Sequence, residues 1–297
     1  MLAKKILLTA LILAIVSGGL FVVMRGSGNV SSGKVNVVAS FYPLYDFAKH
    51  VGGDKVQVTN VTPAGAEPHD YEPSPKMLAA ARASEVFIFN GEWLEPWTSK
   101  FLRDRDYAGT TVMGGSGISL RKGNDPHYWL DPVDAQQIVN NIRDGLSEAD
   151  PNNSGYYAAR ANAYNAQLAQ LDDEFKHGLA QCEQHTVISS HQAFGYIAAR
   201  YDFSVEAIAG LSPEEEPSAE RLAALSNIIK QDGIHYVFFE SLVSPRLADT
   251  IAAETGAKTL VFDPIEGLSD AAQKQGKDYL SVQRENLRSL RIALACK

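Results

Sequence analysis

Two stretches far apart in the chain carry the same punctuation. Glu72-Pro73-Ser74 and Glu216-Pro217-Ser218 each follow a strand–helix–strand pattern, and each opens a helix holding Leu-Ala-Ala, at Leu78-Ala79-Ala80 and Leu222-Ala223-Ala224. A repeat of this kind implies that the chain is built twice on one plan. In the first half, apolar runs at Val35–Ser40, Val56–Val61 and Val86–Asn90 read as buried strands, and Leu44–Val51 reads as a helix stopped by Gly52-Gly53. In the second half the strands are Thr186–Ser190, Val205–Ala209, Tyr236–Phe239 and Thr259–Phe262. One helix runs to Arg200 and another from Ser218 through Ile229. Strands alternating with helices predict parallel sheets covered on both faces. The fold class is therefore α/β, as two lobes, each with a mainly parallel sheet flanked by helices.

Between the halves lies a different kind of segment. Tyr157, Ala161, Tyr164, Leu168, Leu171 and Phe175 fall at alternating four- and three-residue steps, an apolar stripe on one helix face. Asp150-Pro151 marks its start and Gly178 lies near its end; roughly 27 residues at 1.5 Å each give about 40 Å, the span of a small domain. One continuous helix of that length would join the lobes and resist wide hinge closure. The expected layout is an N-terminal lobe over 34–150, a linker helix over 151–181 and a C-terminal lobe over 182–297. A closing helix from Gly276 to Ala295 would bring Cys296 back toward Cys182.

Residues 1–33 stand apart from that plan. Lys4 and Lys5 precede an apolar run from Ile6 to Met24, and Gly26–Gly33 reads as a flexible linker. Lysines before the run favour a cytoplasmic N-terminus with the rest exported. No clean small-x-small cleavage site follows the run, so an uncleaved membrane anchor is expected over a removed signal peptide. The formal net charge of −8 argues against nucleic acid as a partner, since phosphate binding needs a basic surface. In an exported chain the two cysteines, Cys182 and Cys296, favour a disulfide over a metal site, with two free thiols as the alternative. Closing so long a loop is worth about 4–5 kcal/mol in the chain-entropy picture.

Doubly wound sheets bind ligands in the loops at the carboxyl ends of their strands. His69 lies in the loop after the Val56–Val61 strand, and His191 directly follows the Thr186–Ser190 strand. His127 lies in Asp125-Pro126-His127-Tyr128-Trp129-Leu130-Asp131-Pro132, where two prolines imply a stiff turn. Asp263 directly follows Thr259–Phe262, and Glu240 directly follows Tyr236–Phe239. A lone strand-end histidine is more often a cap or a buried donor than a ligand. Three of them with carboxylates, split between two lobes, form a pattern. Three imidazoles and one carboxylate suit a borderline divalent metal, zinc first. Their spacing is too wide for a local zinc motif, so such a site would join the lobes. His50, His177, His185 and His235 read as surface or packing residues, and Trp93, Trp97, Tyr128 and Trp129 as core.

These residues resemble the metal-binding class of ABC-transporter substrate-binding proteins, the zinc and manganese group. The resemblance runs from about Val35 to the C-terminus. It rests on Ser40-Phe41-Tyr42-Pro43, Glu67-Pro68-His69-Asp70-Tyr71-Glu72-Pro73-Ser74, the Asp125–Pro132 stretch and Ser190-His191-Gln192-Ala193-Phe194-Gly195-Tyr196. Glu216-Pro217-Ser218, Phe239-Glu240 and Asp263-Pro264-Ile265-Glu266-Gly267-Leu268 extend it. It implies two α/β lobes joined by one long helix, with one metal ion in the cleft. Carried across, it makes His69 and His127 the N-lobe ligands, His191 the first C-lobe ligand and Asp263 the carboxylate. Manganese-type members usually have Glu where His191 stands, so nitrogen there favours Zn2+, with Mn2+ possible. The resemblance also implies a disulfide for a cysteine pair in these places. The chain departs from it twice: Met113 to Asn124 holds no histidine, where many zinc-type members carry a His- and acid-rich loop, and no lipidation cysteine is present.

The expected protein is a monomeric, extracytoplasmic, non-enzymatic carrier, in the periplasm or at the cell surface. It captures Zn2+ and hands it to an ABC-transporter permease. A Mn2+ or Fe2+ importer component of the same build is the alternative, with a zinc hydrolase or an adhesin behind it. Glu240 either supports a ligand or serves as a structural hydrogen-bonding residue.

Overall fold

The computed structural model describes residues 33–103 and 107–297. The first half runs β1 (Val35–Ala39), α1 (Tyr42–Gly52), β2 (Val56–Asn60), α2 (Pro75–Arg82), β3 (Val86–Phe89), α3 (Trp97–Arg103) and β4 (Thr110–Met113). Its four strands form a parallel sheet in the order β2-β1-β3-β4. Helices α4 (Pro132–Ala149) and α5 (Ser154–Gly178) follow. The second half runs β5 (Thr186–Ser189), α6 (Gly195–Arg200), β6 (Ser204–Ala207), α7 (Ala219–Gln231), β7 (Tyr236–Phe239), α8 (Arg246–Thr255) and β8 (Lys258–Val261). Helices α9 (Asp270–Lys274) and α10 (Tyr279–Ala293) close the chain. Its sheet is also parallel, in the matching order β6-β5-β7-β8.

The duplicated punctuation has a duplicated structure. The Ser74 hydroxyl accepts from the Met77 N–H at 3.3 Å, and the Ser218 hydroxyl accepts from the Arg221 N–H at 3.1 Å. Both serines are N-caps in extended backbone, each satisfying one orphan donor of the first turn. The central strand β3, Val86-Phe87-Ile88-Phe89, is buried throughout, as a parallel strand covered on both faces must be. Edge strand β4 buries only Val112 of its four residues, so no apolar run announces it in the sequence.

Helix α5 is the predicted linker. It buries Tyr157, Ala161, Tyr164, Leu168, Leu171 and Phe175, the same stripe, and adds Asp172. Asp172 is accommodated because the Tyr201 hydroxyl donates to it at 3.1 Å and Lys176 pairs with it one turn on. The central core is continuous across both lobes: Val37, Ile88, Trp129, Tyr164, Phe175, Phe194, Phe238 and Tyr279 belong to one cluster. Smaller clusters lie around Phe87 and Phe101 in one lobe and around Ile188, Leu225 and Ile251 in the other.

The Asp125–Pro132 stretch is indeed a turn rather than the middle of a helix. Tyr128–Leu130 forms one 3-10 turn, and Asp131 caps α4 by accepting from the Val133 N–H at 2.8 Å. It also ties the halves together. The Trp129 indole donates to the Pro264 carbonyl at 2.8 Å, the Gln283 amide to the Leu130 carbonyl at 3.0 Å, and the Tyr196 hydroxyl to the Asp125 carbonyl at 2.9 Å. Helix α10 starts later than its composition suggests because Asp278 and Ser281 make a reciprocal capping box. Beyond its end, Cys296 is disulfide-bonded to Cys182, with Cα atoms 3.8 Å apart.

One tryptophan departs from expectation. Trp97 is buried, but Trp93 is 54% exposed, on the turn between β3 and α3. The N-terminal anchor expectation falls on residues 1–32, outside the described residues. Among the described residues no helix is long and apolar enough to cross a membrane.

Candidate metal centre

Each histidine of interest arrives on a segment whose geometry is fixed elsewhere. His191 is the second residue beyond β5, where the ladder still holds: the Ile208 and Ala209 N–H groups donate to Ser189 and Ser190 carbonyls at 2.8 Å each. Its Nδ1 lies 2.7 Å from Glu240 Oε1, on the residue just past neighbouring β7, and its backbone N–H donates to the same oxygen at 3.2 Å. His127 Nδ1 lies 2.8 Å from Asp125 Oδ1, which also accepts the His127 backbone N–H at 3.0 Å. A carboxylate oxygen accepts, so both rings carry their proton on Nδ1 and turn the Nε2 lone pair inward. His69 is held more lightly. Its backbone N–H donates to Glu67 Oε1 at 3.2 Å, and among the described residues no hydrogen bond to its Nδ1 is present.

The three rings converge. His69 Nε2 lies 3.2 Å from His127 Nε2, and His127 Nε2 lies 3.3 Å from His191 Nε2. The carboxylate that completes the group is Glu266, not Asp263. Glu266 Oε1 is 3.3 Å from His69 Nε2, 3.2 Å from His127 Nε2 and 3.4 Å from His191 Nε2. All four ligand atoms lie within 4.8 Å of one another. A regular tetrahedron with an edge of about 3.3 Å has its centre about 2.0 Å from each corner, which is the Zn–N and Zn–O bond length.

Asp263 does different work. Its Oδ1 accepts the Ile265 N–H at 2.7 Å, while its own backbone is gripped at both ends by the Asn286 amide, at 2.8 and 2.7 Å. This is a carboxylate-capped turn. Within it Ile265 takes φ 57, a left-handed conformation that a β-branched residue adopts only under strain, at a cost of about 1–3 kcal/mol. The turn delivers the carboxylate three residues beyond Asp263 to the cluster. Burial pushes the Asp263 carboxyl up to about 6, against the Ser241 side chain and the Ile265 N–H, which pull it down.

The electrostatics of the group are those of charges that need one another. Burial opposes ionisation of Glu266, but His191, His127 and His69 outweigh it and hold the carboxyl well below its usual range. Burial also opposes charging of His191, yet Glu240 and Glu266 carry it well above the ordinary imidazole value. His127 is raised as well, with Asp125 and Glu266 overcoming burial. His69 is lowered, chiefly by burial, with Glu266 pulling the other way. Beside them, burial and repulsion from Glu266 push Glu67 up to about 9. Three nitrogens and one oxygen, almost wholly buried, could supply all four positions of a tetrahedral ion.

The sequence reading missed Glu266. It lies in the Asp263–Leu268 motif, three residues past the strand-end carboxylate that the sequence favours. His50, His177, His185 and His235 stay apart from the group; the last three are exposed and His50 stacks on Tyr164 at 4.3 Å.

Comparison with known proteins gives the chain its relatives. The family model described as ZnuA, zinc-uptake complex component A, periplasmic, matches residues 37–293. The zinc-binding lipoprotein AdcA of Streptococcus pneumoniae (strain ATCC BAA-255 / R6) is 37% identical over 291 residues, covering 92% of this chain and 58% of its own length. The chain thus spans little more than half of that relative. The high-affinity zinc uptake system protein ZnuA of Bacillus subtilis (strain 168) is 36% identical over 292 residues, covering 92% of each. The crystal structure of the Zn(II)-bound ZnuA-like domain of Streptococcus pneumoniae AdcA matches with a TM-score of 0.80 at 39% identity, over 88% of this chain and 99% of that one. The family model covers both lobes, and the chain belongs to the family of the zinc-uptake complex component A, periplasmic.

Proposed function

We propose that this protein captures Zn2+ outside the cytoplasm and passes it to the membrane permease of an ABC transporter, with His69, His127, His191 and Glu266 as the ligands. The observation that carries this reading is the convergence of three Nε2 atoms and one Oε1, with five of their six separations at 3.2–3.4 Å and all within 4.8 Å. Nitrogen-rich donors of this size favour zinc over manganese, which prefers oxygen and higher coordination numbers. Four protein donors also leave no open position for hydrolytic chemistry, so the ion is cargo. Glu240 and Asp125 hold two ligand rings in the right tautomer. The lysines and apolar run of residues 4–24 tether the carrier to the membrane, and the folded part acts as a monomer.

Competition titration with Zn2+ and Mn2+ at matched free-ion levels tests the assignment. Zinc binds one ion per chain, far more tightly than manganese, and His127→Ala with His191→Ala abolishes it. Zinc binding by the double variant equal to wild type defeats the ligand set, and manganese preference defeats the choice of cargo.

A further inference from the structure

Glu95 is 1% exposed and far along the chain from the four proposed ligands. Its Oε2 accepts the backbone N–H groups of Asn90 at 2.8 Å and Gly91 at 3.3 Å, pinning the turn that leaves β3. Gly91 sits there at φ 138, which a residue with a side chain rarely adopts. Asn90, 5% exposed, then reaches the proposed metal centre from behind. Its Nδ2 donates to the Pro126 carbonyl at 3.1 Å, and its own carbonyl accepts from the Tyr128 hydroxyl at 2.9 Å. Pro126 and Tyr128 are the two neighbours of His127.

The other lobe shows what this position is for. In the first sheet Gly114 N–H donates to the Phe89 carbonyl, and in the second Phe262 N–H donates to the Phe239 carbonyl. The next residues, Asn90 and Glu240, therefore occupy the same place in the two ladders. Glu240 touches His191 directly, whereas Asn90 grips the residues on either side of His127. Resting on the ligand assignment above, we propose that Glu95 is a positioning residue for zinc capture. It orients Asn90, and Asn90 holds the Pro126 carbonyl on one side of His127 and the Tyr128 hydroxyl on the other, so that Nε2 points at the ion.

A mere packing role would be filled more cheaply by an apolar side chain, since no cationic side chain among the described residues pairs with this buried carboxyl. Burial pushes the Glu95 carboxyl up to about 7, with Ser40 and the Asn90 and Gly91 N–H groups pulling against the rise. What the position needs is the oxygen acceptor, which an amide also supplies.

The test uses the full chain as wild type, Glu95→Ala, Glu95→Gln, Asn90→Ala and His127→Ala. The readouts are Zn2+ affinity by chelator competition, the visible absorption of the Co2+-loaded protein, and thermal stability. Asn90→Ala keeps the buried carboxyl and removes only the grip on Pro126, so it remains informative should Glu95→Ala fail to fold. Expected are a zinc Kd raised about ten-fold or more in Asn90→Ala and Glu95→Ala, the range for a group that orients a ligand. Their Co2+ bands shift, and Glu95→Gln returns to within about two-fold of wild type. Folded Asn90→Ala with wild-type affinity and Co2+ spectrum, while His127→Ala has lost zinc, overturns the positioning role and leaves the ligand set standing. Wild-type binding by His127→Ala overturns both.

Discussion

The two lobes share a sheet order and a ladder register, yet they contribute to the proposed metal centre from different places. Counting from the ladders, Phe41 after β1 stands where His191 stands after β5, because Val61 N–H bonds the Ala39 carbonyl just as Ile208 N–H bonds that of Ser189. Phe41 spends its position on packing, edge-on against Trp129 at 4.8 Å. The N-terminal lobe instead presents His69 and His127 from the loops after β2 and β4, whereas the C-terminal lobe uses the first strand end and the loop after β8. Duplication thus copied the scaffold and not the site. The C-lobe imidazole stands on a strand end braced by the neighbouring strand, while the N-lobe imidazoles ride on loops that need bracing of their own.

That contrast can be broken most directly by deletion. Structural zinc sites bind with about 10–16 kcal/mol, so losing one of four donors costs about 3–4 kcal/mol, or several hundred-fold in Kd. His191→Ala should lose at least that much and His69→Ala distinctly less, read by chelator competition. Equal losses would remove the distinction between braced and unbraced ligands. Next in size, Glu240→Ala and Asp125→Ala should each raise the zinc Kd by about 10–100-fold.

Proton competition sharpens the comparison further. Without the ion, His191 and His127 sit above the ordinary imidazole value and His69 below it. Protons on these rings compete with Zn2+, so affinity falls as pH falls, by up to about ten-fold per pH unit for each proton released. A titration series from pH 8 to 6 should show this, with a shallower slope in Glu240→Gln because His191 loses the neighbour that raises it most. A flat profile in wild type would contradict the charge arrangement. The smallest effect belongs to Asp263→Asn, whose amide oxygen can still cap the Ile265 turn. Zinc affinity should change by less than about three-fold, within the range of a neutral cap exchange, while Glu266→Gln loses far more.

Much of this was legible in the residues. The helix stripe from Tyr157 to Phe175, the twin Ser caps and the buried strands rest on periodicity and local hydrogen bonding, which a sequence displays. The three histidines were candidates because they stand where parallel sheets place ligands. Glu266 was not, because the loop after β8 turns through a left-handed Ile265, and nothing about an isoleucine announces that conformation. A glycine there would have. Strand β4 and the exposed Trp93 escaped for the converse reason: an edge strand with one buried residue lacks a pattern, and an aromatic at a turn looks like core until its neighbours are known.

The core that runs unbroken through Trp129, Tyr164, Phe175 and Tyr279 has a bearing on how the molecule comes apart. Although the blueprint is doubled, neither copy owns a complete interior: α5 and the Asp125–Pro132 turn serve both. Calorimetry should therefore record a single melting event, and a gene split before α5 should yield two insoluble fragments rather than two working halves.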